Sequence, residues 1–414
     1  MVDRVTGTIR LLREAASGAI DRRCQGGHVA AKFREMDMVK ARGIKAGALT
    51  GAALVALTGM GVMAAPVTDC PLGRAPLSTT SPLGDVLVVP AARAVVEAAS
   101  PGLSDAMMKP FGGQALPPGF ERIVTPRGVM GMIGKGDAAL VAKLDAGLAK
   151  VRLTRSDVIA RCATYDNERP QLPAKMQRPA ILVFGKITGF RDAPSVNAAE
   201  TALKGIAARH GWGIVFTDKG GVFNAGDLAK FDAVVWNNIS GDALTLAQRA
   251  AFQKWIAKGG GYAGIHGSGG DPQFFWDWYA DTLIGARFIG HPGNPQFQEA
   301  RVVVDDKAHP ATHGLPSEWR MTEEWYSFDR SARAKNVRVL ATLDEGSYTP
   351  GEGFGRKLAM GDHPIAWTRC LGRGRSFYTA IGHRPESYSQ PESLKLLDQG
   401  IAWAAGLSDE ACGK

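Results

Sequence analysis

The second half of the sequence alternates between short apolar runs and longer stretches in which apolar residues recur with a helical period. Apolar runs occupy 180–184, 212–216 and 233–236, and a helical pattern over 195–209 separates the first two. Uninterrupted apolar runs of this length are typical of strands buried on both faces, and alternation with helices is typical of parallel sheets. The pattern therefore predicts one α/β domain over 178–406, with a mostly parallel sheet and helices on both faces.

The remaining patterns extend this prediction to the end of the domain. The sequence predicts a helix at 245–258, a strand at 261–265 and a closing helix at 392–405. Helices on both sides of the sheet would give a three-layer architecture. Further strands are predicted at 300–304, 337–343, 364–367 and 376–381.

Residues 66–175 are rich in Pro, Gly and Ala, and they predict a small N-terminal region that ends in a Pro-rich linker around 167–173. No histidine lies between His28 and His210. We find no chemical motif in this region and assign it no chemistry. Helical patterns occur at 91–99, 137–151 and 156–162.

The formal net charge of +9 lies mostly in residues 1–65, which hold ten Lys or Arg and five Asp or Glu. The rest of the chain is too weakly basic to predict a nucleic-acid partner. Cations at 40–45 precede an uncharged run, which predicts a signal peptide over about 38–64 and export to the periplasm or the extracellular space. An uncleaved membrane anchor is the alternative. Residues 1–37 would then be a cytoplasmic tail or the product of a mis-assigned start codon.

Export would place the four later cysteines in an oxidising compartment. Four cysteines permit three connectivities, of which Cys70 with Cys162 and Cys370 with Cys412 respects the predicted domain split. Free buried thiols are the alternative. No C-x-x-C spacing indicates zinc or redox chemistry.

Polar residues follow several of the predicted strands. Lys186 follows the first strand, Asn237 and Asn238 follow the third, His266 follows the fourth and His383 follows the last. In open parallel sheets, ligands bind beyond the carboxyl ends of the strands. We therefore expect these side chains to line the site.

The segment 261–269 has the glycine spacing of a nucleophile elbow, with His266 in the nucleophile position. A glutaminase of this architecture needs a cysteine there, because a thiolate attacks the amide carbon. The sequence has no cysteine between Cys162 and Cys370, so glutamine hydrolysis by that route is not expected. Ser268 is a weaker candidate nucleophile, since it lies two residues beyond the elbow position.

Six short motifs follow one another through the predicted α/β domain. They are Lys186-x-x-Gly-Phe-Arg191, Gly264-Ile-His266, His291-Pro292, Glu323-Glu-Trp-Tyr326, Asp362-His-Pro364 and Gly382-His383. In this order they resemble the ThuA-like (trehalose utilisation) family. The resemblance implies a flavodoxin- or glutaminase-like fold of the class I glutamine amidotransferase superfamily, without the cysteine. It also implies a role in carbohydrate catabolism, on 3-keto-sugars or glycosides.

The sequence departs from the family at Asp192, since a histidine often follows the Gly-Phe-Arg element. Four other side chains form a candidate ligand set for zinc or a similar divalent metal ion: His266, His291, Glu324 and His383. His291 and Glu324 are expected in loops flanked by aromatic residues. The spacing of the four residues gives no local signature, so their convergence is implied by the fold and by the resemblance.

His266 and His383 are also candidate general bases, because imidazole titrates near neutral pH. A purely structural role is the alternative for each. Lys186 would polarise a substrate carbonyl, with a surface salt bridge as its alternative. Flat aromatic rings pack well on sugars, although plain core is the alternative for them. Trp276 and Trp325 are the better candidates for stacking on a sugar, because charged or polar neighbours surround them in the sequence. The substrate-binding candidates are Arg191, Asp192, Asn237, Asn238, Trp276, Trp325 and Tyr326.

These features predict an exported protein that acts on a small-molecule sugar or glycoside by proton abstraction next to a carbonyl, with or without a metal. The first alternative function is a non-catalytic sugar-binding or scaffold domain on a glutaminase-like fold, and a hydrolase of an anionic substrate is a third possibility. Contact with a membrane is expected only if the leader stays uncleaved. The sequence leaves the oligomeric state open, with a homo-oligomer among the options.

Overall fold

The computed structural model describes residues 65–110, 112–270, 276–334, 336–353, 356–408 and 412. Within this part, Pro66–Lys414 forms one compact unit. No helix of the described part is long and apolar enough to cross a membrane. The predicted leader lies outside the described residues.

The first part of the unit is helical. The predicted helices at 91–99, 137–151 and 156–162 are confirmed as α2, α5 and α6, and Thr154 begins α6 with a capping box to Asp157. Helices α2 and α5 contribute to an apolar cluster that is separate from that of the sheet, whereas Val158 of α6 packs with Cys70 and Cys162. The helices are α1 (Leu83–Val88), α2 (Pro90–Ala99), α3 (Leu103–Met108), α4 (Pro126–Met132), α5 (Ala138–Leu148) and α6 (Arg155–Arg161), with a 3-10 turn at Phe120–Arg122.

A nine-stranded sheet forms the centre of the rest, in the order β2-β1-β3-β4-β13-β12-β9-β6-β7. Two short antiparallel pairs, β5 with β8 and β10 with β11, lie outside it. The strands are β1 (Ala180–Phe184), β2 (Gly213–Thr217), β3 (Ala233–Asn237), β4 (Gly261–Ile265), β5 (Phe288–Gly290), β6 (Phe297–Val304), β7 (Glu318–Glu324), β8 (Ser327–Phe328), β9 (Val337–Leu343), β10 (Glu352–Gly353), β11 (Arg356–Lys357), β12 (Pro364–Leu371) and β13 (Gly374–Thr379).

Four helices accompany the sheet in the described residues, and each begins or ends with a signal that the sequence carries. Asp192 caps the first of them, which ends at the left-handed Gly211. Thr245 and Gln248 form a capping box on the third. The helices are α7 (Ala193–His210), α8 (Ala225–Leu228), α9 (Leu246–Ala257) and α10 (Pro391–Ala404), with a π-helix at Trp278–Ile284 and 3-10 turns at Gly220–Val222, His266–Gly269, Pro310–Thr312, Glu345–Ser347 and Pro385–Tyr388.

The α/β class is confirmed, with a sheet that is half parallel. Strands β2, β1, β3, β4 and β13 run parallel, whereas β12, β9, β6 and β7 continue the sheet in antiparallel pairs. Strands β1, β3 and β4 are buried along their whole length, as expected of strands covered on both faces. Strand β13 lies directly beside β4, with Thr379 opposite Ile265. The residues that follow these two strands therefore meet at one edge of the sheet.

Both predicted disulfides are present. Cys70 is bonded to Cys162 within the helical part, and Cys370 is bonded to Cys412, which ties the C-terminal end to β12. Free thiols are therefore the wrong alternative for these four cysteines.

Candidate active site

His266 stands at the sharp turn after β4. Its φ angle is +38°, a value that non-glycine residues rarely adopt, and its carbonyl accepts a hydrogen bond of 2.9 Å from the hydroxyl of Tyr378. Its Nδ1 lies 2.7 Å from the carbonyl oxygen of Ala380. Because a carbonyl only accepts, Nδ1 donates this hydrogen bond, and the ring is thereby turned so that Nε2 faces Glu324 and His383.

Nε2 of His266 faces two other groups that can act as metal ligands. His266 Nε2 lies 3.1 Å from Nδ1 of His383 and 3.2 Å from Oε2 of Glu324, and the latter two atoms are 2.9 Å apart. One ligand atom from each residue lies within 4.8 Å of the others. Two imidazole nitrogens and a carboxylate oxygen thus converge on one point, which the linear sequence does not show.

The other oxygen of Glu324 contacts a third histidine. Oε1 lies 3.3 Å from Nδ1 of His291 and accepts a hydrogen bond from the side-chain amide of Gln296. Burial acts to raise the pKa of Glu324, but hydrogen bonds from His266 and His383 and the charge of His291 outweigh it and hold that pKa well below its ordinary value. The carboxylate is therefore ionised. It is the common partner of all three imidazoles.

The neighbouring carboxylate, Glu323, points the other way and holds the loop that carries His383. One oxygen accepts hydrogen bonds from the backbone N–H groups of Glu324 (2.9 Å) and Arg384 (3.2 Å). The other accepts from the N–H of Gly382 (2.9 Å) and the hydroxyl of Ser387. Sequence reasoning missed this role of Glu323. The adjacent carboxylates Glu323 and Glu324 were a signal for it, because consecutive residues of a strand face opposite sides and can therefore have different partners.

A second brace reaches the same loop from β3. Asn238 donates to the hydroxyl of Tyr388 (2.8 Å), and that hydroxyl donates to the carbonyl of Gly382 (2.7 Å). Asn237 is fully buried and donates to the carbonyl of Val196 (3.1 Å). Both asparagines therefore serve the framework of the site, and neither is presented as an open substrate contact.

Comparison with known proteins identifies the family. The family model for ThuA, described as trehalose utilisation, matches residues 180–404, which is more than half of the chain. The chain belongs to the ThuA family. No curated protein matches it.

Two solved ThuA-like structures are similar to this chain. A putative ThuA-like protein from Bacteroides uniformis shares 26% identity with a TM-score of 0.47, over 57% of this chain and 95% of the other. One from Parabacteroides merdae shares 19% identity with a TM-score of 0.41, over 57% and 98%. The glutaminase domain of CTPS from Trypanosoma brucei, with bound acivicin, shares 8% with a TM-score of 0.31, over 56% and 95%.

In this ThuA-family chain, the structure brings three of the four predicted ligand candidates, His266, Glu324 and His383, within 4.8 Å of one another. The fourth, His291, is outside this group and contacts the other oxygen of Glu324. The expectation that Glu324 lies in a loop is wrong, because it is the last residue of β7. Strand β7 escaped notice because its charged and apolar residues alternate, as in an edge strand with one exposed face.

The three predicted residues after β1 have partners other than the ligand side chains, and only Asp192 approaches a ligand candidate, through Ser195. Lys186 forms an ion pair with Asp166, which neutralises the charge that was to polarise a carbonyl; the alternative of a salt bridge is the one observed. Arg191 contacts Asn197 at an exposed position. Asp192 caps α7, and the hydroxyl of Ser195 lies between its carboxylate and the carbonyl of His383.

The predicted aromatic residues divide between core and site. Trp325 is fully buried and donates to the carbonyl of Gln298 (2.8 Å), and Trp276 is buried against Tyr279 and the guanidinium of Arg249. Core is therefore their observed place, since both residues are buried. The ring of Tyr326 lies 4.1 Å from that of His266, so Tyr326 forms a wall of the site.

Proposed function

We propose that this chain is an enzyme of carbohydrate metabolism that holds a divalent metal ion on His266, Glu324 and His383 and removes a proton next to the carbonyl of a keto-sugar or glycoside. One observation carries the proposal: the three ligand atoms lie within 4.8 Å of one another in a buried site. The family supports the assignment to carbohydrate metabolism.

The donor set fits a first-row divalent cation. Two imidazole nitrogens and a carboxylate oxygen are the ligands that zinc and its neighbours take. The hydrogen bond from His266 Nδ1 to the Ala380 carbonyl would serve as the outer contact that fixes the ring of a metal-binding histidine, with Nε2 as the atom that would hold the cation. When bound, the cation would supply a Lewis acid that polarises the substrate carbonyl and stabilises the enediolate.

The imidazole that takes the proton depends on the metal. With His266 and His383 as ligands, His291 takes it, since its side chain is 23% exposed and lies 3.3 Å from Glu324. In a metal-free site the base is His383, at 19% exposure, rather than His266, at 4%. In both cases the C–H electron pair forms the C=C bond of the enediolate while the π pair of the carbonyl moves to its oxygen, and the proton later returns from the imidazole.

A covalent route through Ser268 has no support in this geometry. Its hydroxyl is fully buried, donates to the carbonyl of Trp236 (2.9 Å) and accepts from the N–H of Ile239 (3.0 Å). A nucleophile needs a base in contact with its hydroxyl and access to substrate. Ser268 instead ties the elbow to the end of β3.

The test is proton exchange. The purified chain is incubated with 3-keto-glucosides in D₂O, with added Zn²⁺ or Mn²⁺ or with a chelator, and loss of the C–H signal next to the carbonyl is followed by NMR. We expect metal-dependent exchange that Glu324→Gln abolishes and His291→Gln slows at least about 100-fold. His210→Gln is the matched control, because His210 pairs with Asp398 outside the site.

Exchange that persists in the chelator would show that the reaction needs no metal and would indicate His383 as the base. Absence of exchange under every metal condition would refute the proposed reaction. Sugar binding without any turnover would favour the rival function, a non-catalytic sugar-binding domain.

A further inference from the structure

Phe297 is an exposed aromatic ring beside the metal-ligand candidates. Its side chain is 39% exposed, and it is the only aromatic among the most exposed large apolar residues of the described part of the chain. A single exposed phenylalanine is too small for a protein interface, which needs a contiguous apolar patch of several hundred Å². Its surroundings indicate a smaller occupant.

Phe297 lies directly opposite Glu324, because the first residue of β6 pairs with the last residue of β7. Its ring centroid is 5.2 Å from that of His383, in an edge-to-face arrangement. Phe297 therefore neighbours two of the metal-ligand candidates, Glu324 across the strand pair and His383 at its ring. A molecule stacked on Phe297 would touch the exposed edge of His383.

A cation completes the surface. The guanidinium carbon of Arg384 lies 5.8 Å from the centroid of the Phe297 ring, and the backbone N–H of Arg384 is held by Glu323 (3.2 Å). Arg384 also pairs with Glu386, its Nε lying 3.2 Å from the carboxylate. The guanidinium therefore offers N–H donors to a ligand, but its charge is already balanced.

We propose that Phe297 and Arg384 form a platform that binds the pyranose ring of a neutral sugar and sets it against His383. The inference rests on the proposed function, whose substrate class it narrows. The apolar face of a sugar packs on the phenyl ring of Phe297, and the guanidinium of Arg384 donates hydrogen bonds to the hydroxyls of the sugar. The carboxylate of Glu386 already balances the charge of Arg384 and would repel the carboxylate of a uronide. The platform therefore favours a neutral glycoside over a uronide.

This platform also replaces the stacking residues expected from the sequence. Trp276 and Trp325 were expected to stack on the sugar because they have polar neighbours, and both are buried in the core. The neighbours of Phe297 in the sequence, Pro295, Gln296, Gln298 and Glu299, give no signal that its ring lies at the site. Its place opposite Glu324 depends on the pairing of β6 with β7.

The experiment measures binding of methyl glucoside and methyl glucuronide to the zinc-loaded chain by calorimetry, for the wild type, Phe297→Leu and Phe297→Tyr. We expect Phe297→Leu to raise the Kd for methyl glucoside about tenfold and Phe297→Tyr to leave it within about twofold, since only the former removes the ring. Zinc affinity of each variant shows whether the ligand set is intact.

Phe216→Leu is the matched control, because Phe216 lies on the edge strand β2 with the cation of Lys204 4.9 Å from its ring, away from the site. An unchanged Kd in Phe297→Leu, no binding of methyl glucoside by the wild type, or tighter binding of the glucuronide would each overturn the platform. If the wild type exchanges protons while Phe297→Leu keeps its Kd, the platform is wrong and the proposed function stands. If the ring matters for binding but no exchange occurs, the platform stands without the reaction.

Discussion

Two adjacent carboxylates at the end of β7 have opposite tasks. Glu324 points at the three histidines, and Glu323 points at the backbone of the loop that carries His383. Both are almost fully buried, so each is stable there only because its oxygens are hydrogen-bonded or paired. The position of His383 thus depends on both of them.

Replacing Glu323 with glutamine tests the structural half of this pair. In Glu323→Gln an NH₂ group replaces one carboxylate oxygen, so the N–H or O–H donors that this oxygen accepts from in the wild type lose their acceptor. We therefore expect the free energy of unfolding to fall by about 2 kcal/mol. Zinc affinity should fall with it, because His383 loses its anchor. Urea denaturation and zinc calorimetry measure the two effects. Glu318→Gln, at the exposed start of the same strand, is the control; equal effects of the two variants would refute the anchoring role.

The pH dependence of His383 follows from its partners in the metal-free protein. Burial acts to lower its pKa, but the hydrogen bond and charge of Glu324, with Glu323 and Asp192, raise it above the ordinary 6.5. A raised pKa means that the protonated ring stabilises the fold below the ordinary pKa, and that this stability is lost as pH rises through the raised pKa.

Glu324→Gln removes the main cause, so we expect the pKa of His383 in this variant to be lower than in the wild type. An NMR titration of the ring proton measures it, with His383→Gln to assign the signal. Glu345→Gln is the matched control, because Glu345 contacts a different histidine, His363, at 2.9 Å. An unchanged pKa in Glu324→Gln would contradict the pairing.

At the scale of elements, the site is made where β4 and β13 end side by side and where β7 comes in from the antiparallel half of the sheet. The apolar runs predicted β4 and β13, and glycine spacing predicted the elbow, since both signals are local. The contribution of β7 was not predictable in the same way. It depends on the pairing order of β9, β6 and β7, which no local pattern encodes.

Local signals also misplaced single residues. Lys186 was assigned to the chemistry because it follows a strand, but its partner Asp166 lies before the sheet and is brought to it only by the fold. Trp276 and Trp325 were judged by polar neighbours in sequence, and those neighbours do not decide which face of a ring is covered. Side-chain partners distant in sequence are the common reason for these errors.

The turn between β13 and His383 leaves little room for a side chain at Gly382. Gly382 has a φ angle of +138°, and a Cβ there would lie 2.6 Å from the hydroxyl of Tyr388 and 2.9 Å from Ile265. We expect Gly382→Ala to lower the free energy of unfolding by about 3 kcal/mol and to weaken zinc binding. Gly372→Ala is the control, since its φ is +61° and nothing lies within 4 Å of the added Cβ. A loss no greater than that of the control, by denaturation, would show that crowding at Gly382 is tolerated.

At the scale of the whole molecule, two disulfides support the proposal that the chain is exported. They span 92 and 42 residues, and such bonds persist in oxidising compartments. The leader predicted from residues 38–64 would then be removed. We expect the mature protein to begin at Ala65, as measured by intact mass after expression in a secreting bacterial host, with the reduced and oxidised masses differing by two disulfides. A cytoplasmic product that retains residues 38–64 would contradict export.

In the proposed site, His266, Glu324 and His383 together hold one divalent cation. An anomalous difference map at the zinc absorption edge, from crystals grown with Zn²⁺, tests this for the wild type and Glu324→Gln. We expect one strong peak within bonding distance of Nε2 of His266, Oε2 of Glu324 and Nδ1 of His383, and its loss in the variant. Zinc bound elsewhere, with no peak among these three atoms, would contradict it.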